Sequence, residues 1–250
     1  MALRPDQRKP DELRPVRFTL DYQYHPAGSV LVEFGRTRVL CAVSVTAGVP
    51  RWRRDQQVGG GWLTAEYQML PGATGERTER EIARLKPHGR SVEIQRLIGR
   101  SLRPTVDLSK LPDKTLYVDC DVIDADGGTR CAAVSGASVA LELALRRLFV
   151  QGEIPAWPLR ERVAAVSVGI LGGETLLDLC YEEDSAAAVD MNVVMLGDGR
   201  FVEIQGTAEE TPFSIEDMQR MLELAKRGLG AIFDRQREAL QSLEAVRTQK

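Results

Sequence analysis

The sequence predicts an α+β fold of two related strand-rich units, each followed by a helix and packed together as one body. Strand-like runs separated by glycine turns come first in both halves, an Ala/Leu/Val-rich run closes the first half, and an amphipathic run closes the second. Between the halves lies a stretch holding Gly152, Pro155, Trp157 and Pro158, the best linker on the chain. The expected boundaries are residues 1–150 for the first unit and 159–240 for the second. At 250 residues and 43% hydrophobic content there is core material for one large domain or two small ones. No residue-level repeat accompanies the similarity of the halves.

Residues 16–21, 28–34 and 37–46 are rich in β-branched and aromatic side chains and read as a strand meander, with Phe34, Gly35, Arg36 and Thr37 turning between the last two. Gly59, Gly60 and Gly61 break the chain before a strand over 62–70, closed by Pro71 and Gly72. Ile94, Leu97, Ile98 and Leu102 recur at helical spacing over 91–102. Leu116, Val118, Cys120 and Val122 then alternate with polar residues as a half-buried strand, and residues 132–148 are strong helix formers. In the second half, residues 163–171, 175–181, 188–195 and 200–205 read as four strands with glycine turns between them. Ser214 and Asp217 form an N-cap box ahead of a helix whose apolar stripe is Met218, Met221, Leu222 and Ala225.

Composition narrows the function classes. The net charge of −3 gives no bulk attraction for nucleic acid, so any such surface must be local. No apolar run approaches the ~20 residues that span a bilayer, and residues 1–14 lack an apolar signal core, which predicts a cytoplasmic protein with no membrane partner. Cys41, Cys120, Cys131 and Cys180 form no C-x-x-C pair and sit in apolar contexts, as buried reduced thiols do. With His25 and His88 the only histidines, a structural zinc site is not expected.

The most informative segment joins the strand ending near Asp124 to the helix starting near Thr129 through Asp126, Gly127 and Gly128. A helix start offers free N–H groups and the positive dipole end, and glycines let an oxyanion come close. Thr129 adds a hydroxyl donor and Arg130 a planar fork suited to phosphate oxygens. The same residues also suit an ordinary turn with a Thr N-cap, and they match neither the Walker loop nor the dinucleotide fingerprint. Between Glu76 and Arg103, eight cations (Arg77, Arg80, Arg84, Lys86, Arg90, Arg96, Arg100 and Arg103) face four glutamates. Arg96, Arg100 and Arg103 share one helix face, which also fits a solvated surface, whereas Arg90 precedes the helix, within reach of an anion at its N-terminus. In the second half, Asp178, Asp184 and Asp190 lie beside Glu182 and Glu183. Asp184 is expected to close one strand and Asp190 to lie within the next, among Val189, Met191 and Val193, where an ionised carboxylate needs a metal, an arginine or hydrogen-bond donors. A bound Mg²⁺, a raised-pKa general acid, or both would fit, as would an acidic turn with one buried structural Asp.

Five ordered runs carry a resemblance: residues 61–71 (Gly61-Trp-Leu-Thr-Ala-Glu-Tyr-Gln-Met-Leu-Pro71), 89–103, 121–130, 183–194 and 203–209, preceded by an N-terminal signature at 4–8 and 11–15. From residue 4 to about 240 the chain closely resembles the bacterial ribonuclease PH family, whose fold it is expected to share. That resemblance implies a phosphate-dependent 3′–5′ exoribonuclease that trims tRNA precursors and other RNA 3′ ends, releases nucleoside diphosphates, and can run in reverse as a nucleotidyltransferase. It implies phosphate binding by Arg90, Gly128, Thr129 and Arg130, catalysis and Mg²⁺ binding by Asp184 and Asp190, RNA contact by Arg77 and Arg80, and a homohexameric ring, a trimer of dimers. Inorganic phosphate is then the co-substrate, and the departing 3′ oxygen takes its proton from Asp190 or a metal-bound water. Gln7 replaces the usual Gly of the N-terminal signature, and Gly75 stands where a His is common. The alternatives are a catalytically silent RNA-binding subunit of a larger exonuclease ring, against which retention of Thr129, Arg130, Asp184 and Asp190 weighs, and a hydrolytic nuclease, which would release monophosphates.

Overall fold

A computed structural model describes residues 4–81, 88–209 and 211–247, the last five in backbone only. Arg84 and Lys86 of the basic stretch lie outside the described residues. β1 (Val16–Leu20), β2 (Gly28–Phe34) and β3 (Thr37–Ala47) form the antiparallel meander. A short helix, α1 (Arg51–Asp55), then leads to β4 (Trp62–Met69), α2 (Gly89–Leu102) and β5 (Lys114–Asp124). β5 pairs antiparallel with β3, and β4 pairs parallel with β5 at the sheet edge, the order being β1-β2-β3-β5-β4. α3 (Thr129–Val150) crosses to the second sheet, made of β6 (Val163–Leu171), β7 (Glu174–Leu177), β8 (Val189–Leu196) and β9 (Phe201–Ala208) in the antiparallel order β7-β6-β8-β9. α4 (Tyr181–Ala186) lies between β7 and β8, and α5 (Ile215–Arg247) follows β9.

α3 explains why the halves form one body. Its residues from Cys131 to Leu145 are all buried, as a helix apolar on every side must be, and it packs on β2 and β3 of one sheet and β6 of the other. Close approach needs small residues: a Cβ on Gly136 would lie 2.5 Å from Val32 Cγ1, and one on Gly28 would lie 2.2 Å from the Ala140 carbonyl oxygen. Ser135 and Ser138 accept the Ala165 and Val163 N–H groups across the seam. Buried Glu142 is matched by Arg146 and Arg162, at 2.7 and 2.6 Å.

Two short helices depart from the expected strands and loops. The strand expected over 175–181 ends at Leu177, because Asp178 takes φ 54° and turns the chain. Glu183 then accepts the Cys180 N–H and closes a capping box, so Asp184 sits on α4 rather than at a strand end. α1 starts after Pro50, a residue that cannot continue a strand ladder. The Ser214–Asp217 box forms as expected. All four cysteines are buried and unpaired. Among the described residues no helix is long and apolar enough to cross a membrane, and no group of three or more His, Cys, Asp or Glu residues is placed to hold a metal.

The N-terminal segment is bound to the second unit by buried charge. Arg4 meets Glu183 at 2.6 Å and donates to the carbonyls of Leu177 and Asp178, and Arg14 meets Asp178 at 2.7 Å. Burial alone would raise the Glu183 pKa, but hydrogen bonds from Arg4 and the Cys180 N–H, with the charges of Arg4 and Arg8, more than offset it and the net shift is downward. A carboxylate lowered in the folded state contributes stability above its unfolded value, which is lost as pH falls through the folded one. Arg4→Met, which leaves Glu183 buried without its partner, is expected to destabilise the chain at neutral pH by about 3–5 kcal/mol in urea titrations, the deficit shrinking as pH falls and Glu183 takes up its proton; a change under 1 kcal/mol would show that the pair is not needed. Gln7 occupies φ 62°, where glycine is unstrained, so Gln7→Gly is expected to raise stability by about 1 kcal/mol in the same assay.

Candidate active site

The site forms where α3 begins, between the two units. Gly127 and Gly128 both have positive φ, 73° and 65°, and Gly128 caps α3 with no side-chain acceptor over the first turn. The expected Thr N-cap is therefore displaced by one residue. A Cβ on Gly127 would lie 2.7 Å from the Leu179 carbonyl oxygen and 2.8 Å from the Tyr181 nitrogen, so only glycine lets the loop meet the lead-in to α4. Asp126 Oδ1 accepts the Tyr181 N–H at 3.3 Å. Arg14 fixes the other side: it holds Asp178 and donates to the carbonyls of Asp126 and Gly127. These bonds turn the loop's carbonyls toward Arg14, and among the described residues no side chain caps the first turn of α3.

Thr129 is buried, and its hydroxyl oxygen accepts from the Tyr67 phenol at 2.9 Å. Burial raises the Tyr67 pKa against the opposing Thr129 bond and the charges of Arg90 and Arg130, so the phenol keeps its proton and the Thr129 O–H can donate outward. Arg130 is held by Glu93 of α2, at 2.9 Å, and Gln205 of β9, at 2.6 Å. Arg90 lies in the first turn of α2, whose N-cap is His88.

Both aspartates expected at the site lie within electrostatic reach of Arg130, and Asp184 also of Arg90. Asp184 is exposed at the rim, yet the surrounding protein raises its pKa, opposed by Arg90, Arg130 and Arg14. Asp190, paired with Gly169 and Thr207 in the sheet, is raised by burial and by the charge of Asp184, opposed by Arg130, with Glu209 adding to the rise. Neither is in an ion pair among the described residues. Two hard oxygen donors with shared negative field suit Mg²⁺, which commonly takes one or two carboxylates and fills its shell from water and substrate phosphates. Cys131, two residues from Thr129, is pushed up to about 12 by burial and is no nucleophile.

The structure thus brings Arg90, Gly128, Thr129, Arg130, Asp184 and Asp190 together. Arg77 and Arg80 are exposed in the segment after β4, without an ion pair among the described residues. Asp178 and Glu183 are absorbed by Arg14 and Arg4. Tyr67, Arg14, Glu93 and Gln205 were not anticipated as site residues. Each sits within an otherwise regular strand, helix or loop pattern, with no local signal separating it from neighbours of its kind.

Sequence models of the 3′ exoribonuclease family match the chain over residues 12–146, for domain 1, and 161–228, for domain 2. The chain belongs to the 3′ exoribonuclease family of ribonuclease PH. Solved structures share this ribonuclease PH fold: rice (Oryza sativa) Rrp46 has a TM-score of 0.76 and 22% identity over 94% of this chain and 98% of its own. An Archaeoglobus fulgidus exosome with RNA bound to the active site has a TM-score of 0.78 and 24% identity over 93% and 92%. An archaeal exosome core has a TM-score of 0.75 and 23% identity over 94% and 91%.

Because Asp184 contributes to the raised pKa of Asp190, Asp184→Asn is expected to lower the Asp190 titration midpoint. Carboxyl ¹³C NMR of Asp190 against pH checks this, and an unmoved midpoint would mean that the two groups do not share a field.

Proposed function

We propose that this ribonuclease PH family member is an active phosphorolytic exoribonuclease of the bacterial type, trimming tRNA precursors and other RNA 3′ ends. The observation that carries this is the meeting of Arg90, Arg130 and the open first turn of α3 with Asp184 and Asp190, a cationic cradle facing a carboxylate pair. An inactive scaffold needs no such juxtaposition.

Inorganic phosphate, held by Arg90, the Thr129 hydroxyl, Arg130 and the N–H groups after Gly128, attacks the terminal phosphodiester in line. A new P–O bond joins it to the last nucleotide, the bond to the penultimate 3′ oxygen breaks, and a nucleoside diphosphate leaves. The arginines offset repulsion between nucleophile and substrate phosphates, a term of about 3–4 kcal/mol per well-placed donor. The proton for the departing 3′ oxygen comes from Asp190, whose carboxyl is shifted upward by burial and by the charge of Asp184, or from a water. Asp184 and Asp190 would hold Mg²⁺, which when bound supplies charge neutralisation at the transferred group. An anhydride replaces the ester, so the reaction also runs backwards as nucleotide addition. Arg77 and Arg80 meet the RNA, and the protein works in the cytoplasm as a homohexamer, a trimer of dimers.

A second reading is a catalytically silent RNA-binding subunit of a larger ring, favoured by the likeness to exosome structures. Release of nucleotide from labelled single-stranded RNA separates the two. The active enzyme gives diphosphates only with phosphate present, the silent subunit gives nothing, and monophosphates without phosphate would mean hydrolysis. Arg130→Ala is expected to raise the KM for phosphate at least tenfold, and Asp190→Asn to abolish turnover while RNA affinity by anisotropy stays within about threefold. Arg77→Ala and Arg80→Ala should each flatten the slope of log affinity against log salt by about 0.7, and an unchanged slope would remove them from the RNA surface.

A further inference from the structure

Arg130 lies in a closed triangle of hydrogen bonds whose other two corners come from different units. Its Nη1 donates to Glu93 Oε1 at 2.9 Å and to Gln205 Oε1 at 2.6 Å, and Gln205 Nε2 donates to the same Glu93 oxygen at 3.0 Å. The Gln205 bond and the charges of Arg130 and Arg90 hold the Glu93 carboxyl below its ordinary value against the opposing effect of burial. A guanidinium has five N–H donors in a rigid plane, and its bidentate edge toward an oxyanion is formed by Nε and Nη2. The triangle uses the two Nη1 hydrogens. The Nε and Nη2 donors have no partner among the described residues, and the side chain is only 14% exposed.

An acidic residue bonded to a phosphate-site arginine is unfavourable for anion binding unless its contribution is geometric. Here α2 brings Glu93, β9 brings Gln205 and α3 brings Arg130, so the triangle fixes a long side chain from three elements at once. We propose that Glu93 and Gln205 are positioning residues for phosphate: by occupying one end of the Arg130 fork they hold its other edge toward the inorganic phosphate co-substrate. This rests on the reading of Arg130 as a phosphate ligand. It predicts that phosphate affinity, not RNA affinity, depends on residues that touch neither ligand.

A nearby pair supplies a control. Arg100 and Glu203 join the same helix to the same strand, with a bond of 2.6 Å, and do not touch Arg130. If Glu93 matters only by tying α2 to β9, losing Arg100 should do the same damage.

The test uses the full-length chain and two readouts. Phosphate binding is followed by the rise in thermal midpoint with inorganic phosphate, which needs no turnover, and the KM values for phosphate and for RNA are measured separately. Glu93→Ala and Gln205→Ala are expected to require about 10- to 100-fold more phosphate in both readouts, with the KM for RNA within about threefold of the parent chain. Glu93→Gln, whose amide oxygen still accepts from Nη1, should restore most of the loss, and Arg100→Ala should leave the phosphate requirement unchanged. Unaltered phosphate dependence in both alanine variants, no rescue by Glu93→Gln, or an equal loss in Arg100→Ala would overturn the positioning role while leaving phosphorolysis intact. A parent chain that binds no phosphate would instead overturn the phosphate site itself, and this proposal with it.

Discussion

The bond between Arg14 and Asp178 sets the geometry on which the site depends. Arg14 is buried and gives its backbone N–H, Nε and Nη2 to one carboxylate, while its remaining donors take the carbonyls of Asp126 and Gly127. One side chain from the N-terminal segment therefore ties the loop before α3 to the turn before α4. The first-turn N–H groups of α3 follow the former, and α4, which carries Asp184, follows the latter. Without Arg14 the loop carbonyls would face a buried carboxylate directly, an arrangement that must rearrange or take up water. Arg4 supports it by holding Glu183, which caps α4, so α4 is fixed at both its entry and its first turn.

The site's electrostatics follow from a division of partners. Glu183, Asp178 and Glu142 are buried and have arginines of their own, which satisfies the requirement that interior charge be paired. Among the described residues Asp184 and Asp190 have no such partner, and their carboxyls are shifted upward, Asp184 by the protein around its rim position and Asp190 by its half-burial and the charge of Asp184. Arg130 acts on both, and Arg90 and Arg14 act on Asp184, without any direct ion pair among the described residues. The buried acids Glu183, Asp178 and Glu142 are neutralised by contact, whereas Asp184 and Asp190 share a field with cations that they do not pair with among the described residues.

Much of the fold was legible because its signals are local. Strand-forming residues ended by glycine turns over 163–171, and β-branched and aromatic residues over 28–34, place β6 and β2 at the residues observed, and the Ser214–Asp217 box marks where α5 starts. The mixed order of the first sheet was not legible, since the parallel pairing of β4 with β5 is long-range and leaves no mark in either strand. α4 was lost because its six residues carry too little periodicity to outweigh the apolar run before them, and the change of direction lies in a left-handed aspartate rather than a glycine. Within the site, the Gly-Gly-Thr-Arg junction was recognisable from helix-start physics, and the aspartates mainly through family resemblance. Arg14, Glu93 and Gln205 escaped notice because what distinguishes them is a partner between 75 and 164 residues away in sequence, or 37 in one case.

In the proposed reaction orthophosphate itself, seated against Arg130 and the start of α3, is the nucleophile. Isotope tracing decides this. With ¹⁸O-labelled inorganic phosphate, single-stranded RNA and magnesium, the expected product is nucleoside diphosphate carrying the label in its β-phosphoryl group, with none entering from labelled water. Label from water in a released monophosphate, or diphosphate whose β-phosphoryl group is unlabelled, would rule phosphate out as the nucleophile.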